Sequence, residues 1–435
     1  MKIYFETLGC PKNFYDSQIA GGILEAEGHE IINSPDEADI IIVNTCGFIN
    51  DAKTESIEAI FDMAKYKENG AKLVVSGCLS QRYSEELFEE IPEADIFIGV
   101  NDYDKLPQIL GDTNERGRFV SDCTETELPE VKRKLDGNVY TSTLKIAEGC
   151  NNRCTYCIIP YIRGHYRSKK IENILAEARE LAAAGCKELI LIAQDTTYYG
   201  KDLYDEYKLP ELLRELCRID GIRWIRLMYC YEDRITDELI ETIASEEKVC
   251  NYLDIPIQHA SDNVLQAMNR RSTESTIKGT LDKLRSSIED IHIRTTLITG
   301  FPGETEEDFD ILYDFVEEQQ FARLGVFAYS QEEGTPAAEM EHQIDEEIKQ
   351  QRADDIMRMQ LDISYEYNKA KIGSVMEVIV DEMDEDGSYI GRTRFDAPEI
   401  DNSVIFTSGN KLVPGDIVNV LINDAFDYDL VGEEK

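Results

Sequence analysis

The sequence has no apolar run that approaches the roughly 18 residues of a membrane-spanning helix. Its first residues, MKIYFETLGC, lack a signal-peptide pattern, so we expect a cytosolic protein with no membrane segment. Basic side chains are scarce: 45 Lys and Arg stand against 87 Asp and Glu, a formal net charge of −42. This field repels phosphate backbones and attracts basic partners, unless the acidity only keeps the chain soluble.

Histidine and tryptophan are also rare. The five histidines are scattered without the spacing of metal ligands, so each is interpreted as a surface residue or a hydrogen-bonded polar residue. Trp224 lies in a strand-like run and is interpreted as core. Eleven cysteines are an odd number in a chain without a signal peptide, which favours metal binding or catalysis over a secreted disulfide framework.

The first 110 or so residues alternate predicted strands and helices, which indicates a parallel α/β sheet. The predicted strands cover residues 2–7, 40–44, 72–76 and 96–100. A helix after the second has Ile57, Ile60, Phe61 and Ala64 on its predicted apolar face. Single cysteines follow three of the strands: Cys10, Cys46 and Cys78. Loops at the carboxyl ends of parallel strands share one edge of a sheet, so these cysteines are expected to converge.

The rest of the chain predicts two further domains, so the fold class is α/β and multidomain. Residues 123–139 are polar and aperiodic and predict a linker between a first domain, 1–122, and a second, 140–370. Six strand–helix repeats in that second domain predict a partial or complete (β/α)6 barrel, with Thr305 as a helix N-cap. Short alternating strands over 371–435 predict a small antiparallel β-barrel.

The motif EGCNNRCTYCIIPYIRG carries the strongest chemical signal. Its Cys150, Cys154 and Cys157 form a C-x3-C-x2-C run directly after the first strand of the predicted (β/α)6 barrel. A closed zinc site needs a fourth ligand, for which His165 is the one candidate nearby. Three thiolates without a clear fourth suit a four-iron cluster that leaves one iron open to a small molecule.

This motif, with Tyr156 before its last cysteine, resembles the radical S-adenosylmethionine (SAM) superfamily. The N-terminal domain and a TRAM-type C-terminal barrel extend the resemblance to the methylthiotransferases over essentially the whole chain. The resemblance implies SAM and two [4Fe–4S] clusters as cofactors. It implies that one cluster is held by Cys150, Cys154 and Cys157, and a second, sulfur-delivering cluster by Cys10, Cys46 and Cys78. No catalytic residue beyond these cysteines is predicted.

The same resemblance implies SAM contacts at several strand ends. A plain strand-to-helix turn is the alternative interpretation of the Gly-Phe-Pro-Gly element. The candidates are Tyr156, Gln194, Asp195, Gln258, Arg294, Ile298 and Gly300, with Glu304 just beyond. Arg163 and Arg167 either screen the cluster, meet the substrate or form a solvated surface. The remaining cysteines lack a shared spacing and are interpreted as free thiols: Cys123, Cys186, Cys217, Cys230 and Cys250.

Two substrate classes occur in that family, an adenosine of tRNA and an aspartate of protein S12 of the small ribosomal subunit. Residues 371–435 contain 15 acidic and 5 basic side chains, a charge of about −10 that suits a basic protein better than a tRNA backbone. The hexapeptide DAPEID, residues 396–401, and the LGCPKN start resemble the RimO-type, protein-modifying branch. Methylthiolation of tRNA and a two-cluster electron carrier or redox sensor are the alternatives.

The predicted partners follow from this interpretation. They are ribosomal protein S12, an electron donor of the reductase or flavodoxin type, and a sulfur donor. No membrane partner is expected, and the chain is predicted to act as a monomer.

Overall fold

A computed structural model of the chain describes residues 1–112, 115–122, 128, 132–135 and 139–435. The chain forms two units. The first comprises Met1–Gly137, Ala147–Asn173 and Ser330–Ala338. The second comprises Asn138–Ile146, Ile174–Tyr329 and Glu339–Lys435. The motif with Cys150, Cys154 and Cys157 therefore belongs to the same unit as the N-terminal cysteines.

The first unit contains a six-stranded, all-parallel sheet in the order β2-β1-β3-β4-β5-β6. Its strands are β1 (Lys2–Thr7), β2 (Glu30–Ile32), β3 (Ile40–Thr45), β4 (Lys72–Ser76), β5 (Ile96–Ile98) and β6 (Gly117–Phe119). Its helices are α1 (Pro11–Ala26), α2 (Asn50–Ala64), α3 (Gly77–Glu90), α4 (Leu106–Asp112) and α5 (Ile159–Arg163). A short antiparallel ribbon pairs Ala147–Glu148 with Arg167–Ser168.

All four predicted strands of this sheet are present. The edge strands β2 and β6 were not predicted, because each has only three residues and no continuous buried run. The predicted apolar face of α2 is wrong in one residue. Ile60 is fully buried, but the Phe61 side chain is 44% exposed, because adjacent helix positions point about 100° apart.

The second unit contains a six-stranded parallel sheet whose order β12-β11-β10-β9-β8-β7 follows the chain. Its strands are β7 (Thr141–Lys145), β8 (Glu188–Ile192), β9 (Trp224–Leu227), β10 (Val249–Asp254), β11 (His292–Thr299) and β12 (Arg323–Ala328). Its two edge strands do not pair with each other among the described residues, so the predicted six-strand barrel is partial.

Helices connect these strands in the α/β alternation that the sequence predicts. They are α6 (Ile171–Ala183), α7 (Lys201–Tyr204), α8 (Leu209–Cys217), α9 (Asp237–Ser245), α10 (Asp262–Ala267), α11 (Glu274–Ser287), α12 (Glu306–Gln319) and α13 (Glu346–Lys369). Thr305 caps α12 as predicted: its hydroxyl accepts from the Asp308 N–H at 3.2 Å, and the Asp308 carboxylate accepts from the Thr305 N–H at 3.0 Å. Trp224 is 2% exposed and is core, also as predicted.

The C-terminal residues of the second unit form a closed barrel in the order β13-β14-β15-β17-β16. Its strands are β13 (Val375–Met383), β14 (Tyr389–Thr393), β15 (Val404–Thr407), β16 (Ile417–Ala425) and β17 (Leu430–Glu434). Four of its pairings are antiparallel as predicted, whereas β15 and β17 pair in parallel. Alternate side chains such as Val378, Val380, Val420 and Ile422 fill its core.

A short segment of the first unit, Ser330–Ala338, ties two of its parts together, and we call it the strap. The Glu332 carboxylate accepts from Lys53 Nζ at 2.9 Å, from Arg82 at 3.3 Å and from the Asn50 N–H at 3.0 Å. At the other end of the strap the Ala337 N–H donates to the Thr155 carbonyl at 2.9 Å, inside the C-x3-C-x2-C motif. The strap thus joins the N-terminal sheet to the motif loop.

Only part of the predicted linker 123–139 is described, namely residues 128, 132–135 and 139. The Lys134 N–H donates to the Gln18 carbonyl at 2.8 Å, so this part lies against α1. Cys123 lies outside the described residues. No helix in the described part of the chain is both long and apolar enough to cross a membrane.

Replacing Glu332 by Gln should lower the free energy of unfolding by about 3 kcal/mol at pH 7, because Lys53 and Arg82 would lose their buried counter-charge. Burial alone would raise the pKa of Glu332, but the hydrogen bonds from Lys53 and Ser330 outweigh it and lower the pKa below its usual value. The stabilisation is therefore complete above the unfolded-state pKa and is lost as the pH falls through the folded-state pKa. Urea unfolding at a series of pH values measures it.

The neighbouring Glu333 is exposed and provides the matched control. Glu333→Gln should change the free energy of unfolding by less than about 1 kcal/mol, as surface charges usually do. Equal losses for the two variants, or a loss for Glu332→Gln that does not shrink below about pH 4, would contradict the assignment.

Candidate functional site

The three N-terminal cysteines follow three neighbouring strands. Cys10 is the N-cap of α1 after β1, Cys46 follows β3, and Cys78 lies in the first turn of α3 after β4. Because β1, β3 and β4 are adjacent and parallel, their carboxyl ends meet at one edge. Cys46 and Cys78 are buried and Cys10 is exposed. The predicted convergence of these thiols is therefore present, with one of them open to solvent.

Polar side chains hold the loops that carry these cysteines. The Asn13 amide donates to the Leu8 carbonyl at 2.9 Å and to the Thr45 carbonyl at 3.0 Å, so it links the loop before Cys10 to the loop before Cys46. The buried Ser56 hydroxyl accepts from the Cys46 N–H at 2.9 Å and donates to the Cys46 carbonyl at 3.0 Å.

Two glycines allow these loops to approach one another. Gly9 has a φ of +87°, and a Cβ there would lie 2.8 Å from Cys46 Cβ and 3.1 Å from its sulfur. Gly77 has a φ of +93°, and its Cβ would lie 2.4 Å from the Thr45 carbonyl oxygen. L-residues rarely adopt such backbone angles, and the neighbouring atoms leave no room for a side chain. Glycine is therefore required at position 9, just before Cys10, and at position 77, just before Cys78.

The thiols are close enough to affect one another's ionisation. Burial raises the pKa of the Cys78 thiol to about 12; Arg163 acts in the opposite direction, and Cys10 and Cys46 raise it further. Burial also raises the pKa of Cys46, with Cys10 adding to the increase. The thiols of Cys46 and Cys78, whose pKa values are raised, gain strongly from a cationic centre that binds them as thiolates.

The second cysteine trio lies on one loop between the ribbon strand Ala147–Glu148 and α5. The Cys150 N–H donates to the Gly164 carbonyl at 3.1 Å and closes the loop, and the Cys157 N–H donates to the Cys154 carbonyl at 3.0 Å. Cys154 is buried, and Cys150 and Cys157 are half-buried. Burial raises the pKa of Cys157, and Cys154 and then Cys150 raise it further, so these sulfurs also lie near each other.

The donor set of each trio is three cysteine thiols. Among the described residues no group of three or more His, Cys, Asp and Glu side chains could hold a single ion. A four-iron cluster differs from such a site because each thiolate binds a separate iron. The exposed His165, the predicted zinc alternative, has its Nδ1 3.3 Å from the Asn151 side-chain oxygen. Both trios thus fit the donor set of a cluster.

Arg163 follows the second trio in the chain and contacts Cys78 of the first. It ends α5, six residues after Cys157, and is only 2% exposed. Its guanidinium donates to the Cys78 sulfur at 3.1 Å and to the Asn13 side-chain oxygen at 2.8 Å. The solvated-surface alternative is therefore wrong for Arg163. Arg167 is half-buried, and donates to the Arg163 carbonyl at 3.1 Å and to Asn101 at 3.3 Å.

Three of the SAM-contact candidates in the second unit lie together. The Gln258 N–H donates to the Thr296 carbonyl at 2.9 Å, and its own carbonyl accepts from the Ile298 N–H at 2.8 Å, with Gln258 at a φ of +71°. Gly300 follows at the end of β11, where its N–H donates to the Glu304 carboxylate at 2.8 Å. Gln258, Ile298 and Gly300 therefore share one carboxyl-end corner of the sheet.

The other candidates in that unit lie elsewhere or are engaged. Asp195 is buried, accepts from the Tyr198 N–H at 3.2 Å and forms an ion pair with Arg234, so it shapes the turn after β8. Gln194, just before it, is half-buried. Arg294 lies near the start of β11 and pairs with Asp254 at 3.0 Å and Asp401 at 3.3 Å. Tyr156 is half-buried in the motif loop of the first unit.

The DAPEID hexapeptide packs against the parallel sheet of the second unit. Asp396 accepts from two nitrogens of Arg323, at 2.6 and 3.1 Å, and Asp401 accepts from the Tyr252 hydroxyl at 2.6 Å. Burial would raise the pKa of Asp396, but Arg323 outweighs it and lowers the pKa. Two acids of the motif are thus internal counter-charges that join the small barrel to the sheet. They do not contribute to an exposed acidic surface.

The remaining histidines and cysteines show no shared site among the described residues. His29, His165 and His342 are at least partly exposed, as interpreted from sequence, whereas His259 and His292 are buried. His259 Nδ1 accepts from the Ser261 N–H at 2.9 Å. None of the described additional cysteines forms a disulfide, as predicted: Cys186, Cys217, Cys230 and Cys250.

Sequence reasoning missed Ser56, Glu332 and the partners of Arg163. Ser56 is one helical serine among many, and Glu332 is one of 87 acidic residues, so neither carried a local signal. Only Asn13, in the LGCPKN stretch, stands beside a cysteine that was singled out. The roles of all these residues depend on contacts with residues distant in the chain, such as the contact of Glu332 with Lys53.

Comparison with known families divides the chain into three matched segments. Residues 2–99 match the family described as "Uncharacterized protein family UPF0004", residues 144–316 match the radical SAM superfamily, and residues 372–434 match the TRAM domain.

Among solved structures, the radical SAM methyltransferase TsrM from Kitasatospora setae, with cobalamin and a [4Fe–4S] cluster bound, superposes with a TM-score of 0.58 at 14% identity. That match covers 86% of this chain and 80% of TsrM. The cobalamin-dependent SAM radical enzyme OxsB superposes with a TM-score of 0.51 at 16% identity, over 82% of this chain and 56% of OxsB. At these identities the likeness concerns the fold alone.

Full-length relatives are much more similar. A protein of Clostridioides difficile (strain 630) is 51% identical over 437 residues, covering 100% of this chain and 98% of the relative. One of Acetivibrio thermocellus is 50% identical over 443 residues, covering 99% and 98%. Both are named "Ribosomal protein uS12 methylthiotransferase RimO". With two cysteine trios, a six-strand parallel sheet and a C-terminal TRAM barrel, this chain belongs to the RimO family of radical SAM methylthiotransferases.

Proposed function

We propose that this chain transfers a methylthio group to the β-carbon of an aspartate in ribosomal protein uS12. The observation that carries the proposal is the sequence identity of this chain, 50% and 51% over nearly its full length, with relatives named for that reaction. The alternatives of a tRNA-modifying enzyme and of a two-cluster electron carrier have no such support.

The residues that would hold the cofactors are the two cysteine trios: Cys10, Cys46 and Cys78 for one [4Fe–4S] cluster, and Cys150, Cys154 and Cys157 for the other. When bound, the clusters and SAM supply the electron, the hydrogen-abstracting group, the sulfur and the methyl group. For SAM we propose Tyr156, Gln194, Gln258, Ile298 and Gly300 as contacts. Asp195 and Arg294, whose charges are paired within the chain, are proposed as further SAM contacts.

The chain's own contribution is to fix the donor loops before any chemistry occurs. Asn13 and Ser56 hold the backbone around Cys10 and Cys46 through hydrogen bonds to main-chain atoms. The strap holds the motif loop through Thr155. Group transfer between a carbon and a sulfur requires the reacting atoms to be held in line. Loops that are already fixed reduce the entropy that is lost when the atoms reach that alignment.

The acidic C-terminal barrel supports a basic protein substrate. Asp396 and Asp401 are neutralised internally. However, the hairpin between β13 and β14 exposes four other acids: Glu382, Asp384, Glu385 and Asp386. Exposed carboxylates repel a phosphate backbone and steer a basic protein toward the surface. We propose this acidic hairpin as a contact for uS12.

The remaining proposals follow from the family interpretation. The domain boundaries are proposed at 1–122, 140–370 and 371–435, with 123–139 as the linker. The matched segments 2–99, 144–316 and 372–434 support this division. A cytosolic monomer served by a reductase or flavodoxin-type electron donor and by a sulfur donor completes the proposal.

Incubation of the reconstituted enzyme with SAM, dithionite and sulfide should add the mass of one methylthio group to an aspartate of uS12. Parallel reactions contain unmodified tRNA, and mass spectrometry of both substrates measures the products. The Cys150→Ala variant serves as the inactive control. A mass gain on a tRNA adenosine with none on uS12 would replace the proposal by the tRNA alternative. Failure to form 5′-deoxyadenosine from SAM would favour the electron carrier.

Replacing Cys150, Cys154 and Cys157 by Ala should reduce bound iron from about eight to about four per chain and abolish formation of 5′-deoxyadenosine. Replacing Cys10, Cys46 and Cys78 should also halve the iron but leave 5′-deoxyadenosine detectable. Iron analysis and chromatography of SAM products measure these results. Cys217→Ala, at a half-buried thiol outside both trios, is the control and should keep all the iron. Zinc without iron after anaerobic reconstitution would contradict the assignment.

Gly9→Ala should remove the iron of the N-terminal cluster, because its Cβ would displace Cys46, and should leave 5′-deoxyadenosine formation intact. Gly28 offers a matched control, since its φ of +83° is similar but no atom lies within 4 Å of the added Cβ. Gly28→Ala should cost only about 1 kcal/mol of stability and keep all the iron. Equal iron content in the two variants would show that the close approach at Gly9 has no role in cluster binding.

A further inference from the structure

Arg163 is a charged side chain that is almost completely buried in the first unit. It is 2% exposed, and a guanidinium remains protonated in proteins at any working pH. A buried charge is tolerated only when it is paired and hydrogen-bonded. Its placement next to the motif loop therefore reflects partners strong enough to offset the loss of hydration.

Those partners come from both ends of the first unit. Arg163 forms an ion pair with Asp16 of α1 and lies 3.4 Å from the Glu148 carboxylate of the ribbon. It also donates to Asn13 at 2.8 Å and to the Cys78 sulfur at 3.1 Å. The two carboxylates supply counter-charge to the guanidinium. The bond to sulfur is a further contact, made to a residue that is neutral as a thiol.

The same nitrogen of Arg163 reaches both Asn13 and Cys78. Because Asn13 in turn holds the loops before Cys10 and Cys46, one guanidinium is connected to all three loops of the N-terminal trio. The planar fork of an arginine can serve several acceptors at once, whereas a lysine offers a single compact charge. Both the residue type and the position of Arg163 therefore suit it to hold the three cysteine loops together through hydrogen bonds.

On the proposed function, Cys78 binds an iron of the N-terminal cluster as a thiolate. We propose that Arg163 is a positioning residue for that cluster: it holds the Cys78 sulfur in place and makes the cluster easier to reduce. Hydrogen bonds to the sulfurs and nearby charge are among the factors that set the potential of an iron–sulfur cluster. A cation with an N–H donor beside the sulfur stabilises the electron-rich, reduced form. The arginine comes from the motif loop of one proposed cluster and acts on the other.

The test measures the potential of the N-terminal cluster alone. The full-length chain carries Cys150→Ala, Cys154→Ala and Cys157→Ala as background, and dithionite titration is followed by electron paramagnetic resonance. In this background Arg163→Gln should lower the equilibrium constant for reduction of the cluster at least tenfold. For a one-electron couple this moves the reduction potential about 59 mV to more negative values. Arg163→Lys should shift the potential in the same direction by less. Arg118→Gln, at an exposed arginine paired with Glu85, should leave it unchanged.

An unchanged potential in Arg163→Gln, with about four irons bound, overturns the proposal. If Arg163→Gln binds no iron or does not fold, the Arg163→Lys variant decides: a shift to more negative potential supports the proposal, and the parent value overturns it. A background chain that binds no iron shows instead that Cys10, Cys46 and Cys78 hold no cluster. That result refutes the proposed function of the trio, and the role of Arg163 with it. It is distinguishable from the other negative result, in which the cluster is bound but its potential does not change when Arg163 is replaced.

Discussion

Parallel pairing of β1, β3 and β4 is the constraint on which the candidate chemistry of the first unit depends. Parallel strands point their carboxyl ends the same way, so three cysteines more than thirty residues apart reach one edge of the sheet. Glycines on either side of the thiols allow the loops to close to van der Waals distance. An antiparallel arrangement of the same strands would send alternate cysteines to opposite edges. The sheet topology therefore creates the donor set.

Buried ion pairs organise the second unit in a comparable way. Glu188 at the start of β8 binds Arg226 of β9 and Arg392 of the small barrel, each at 2.8 Å. Although burial alone would raise the pKa of Glu188, the two arginines lower it to about 2. With the Arg323–Asp396 pair, these contacts fix the TRAM barrel on the amino-terminal half of the parallel sheet. Such pairs specify one arrangement, because a mismatch would leave a charge buried and unpaired.

The predictions from sequence succeeded where local pattern and topology agree. The six strand–helix repeats predicted for the second unit are present, since the alternation of strand-like and helical patterns is local in the sequence. They said less about side chains whose surroundings depend on distant partners. Arg294 was grouped with Ile298 and Gly300, and the structure adds that it lies in β11 six residues before Gly300 and pairs with Asp401 of the C-terminal barrel. Phe61 was assigned to the apolar face of α2, where Ile60 is fully buried, but its own side chain is 44% exposed.

By itself the sequence determined the order of strands and helices, the two cysteine trios and the family resemblance, because these follow from local spacing and from residue identity. Only the tertiary structure decided what surrounds the cysteines. Arg163, a basic residue of unclear exposure in the sequence, is buried against Cys78, 85 positions away. Likewise the DAPEID acids, a family signature in the sequence, are internal counter-charges. The physical reason is that burial and charge pairing are properties of neighbours in space, which spacing along the chain does not encode.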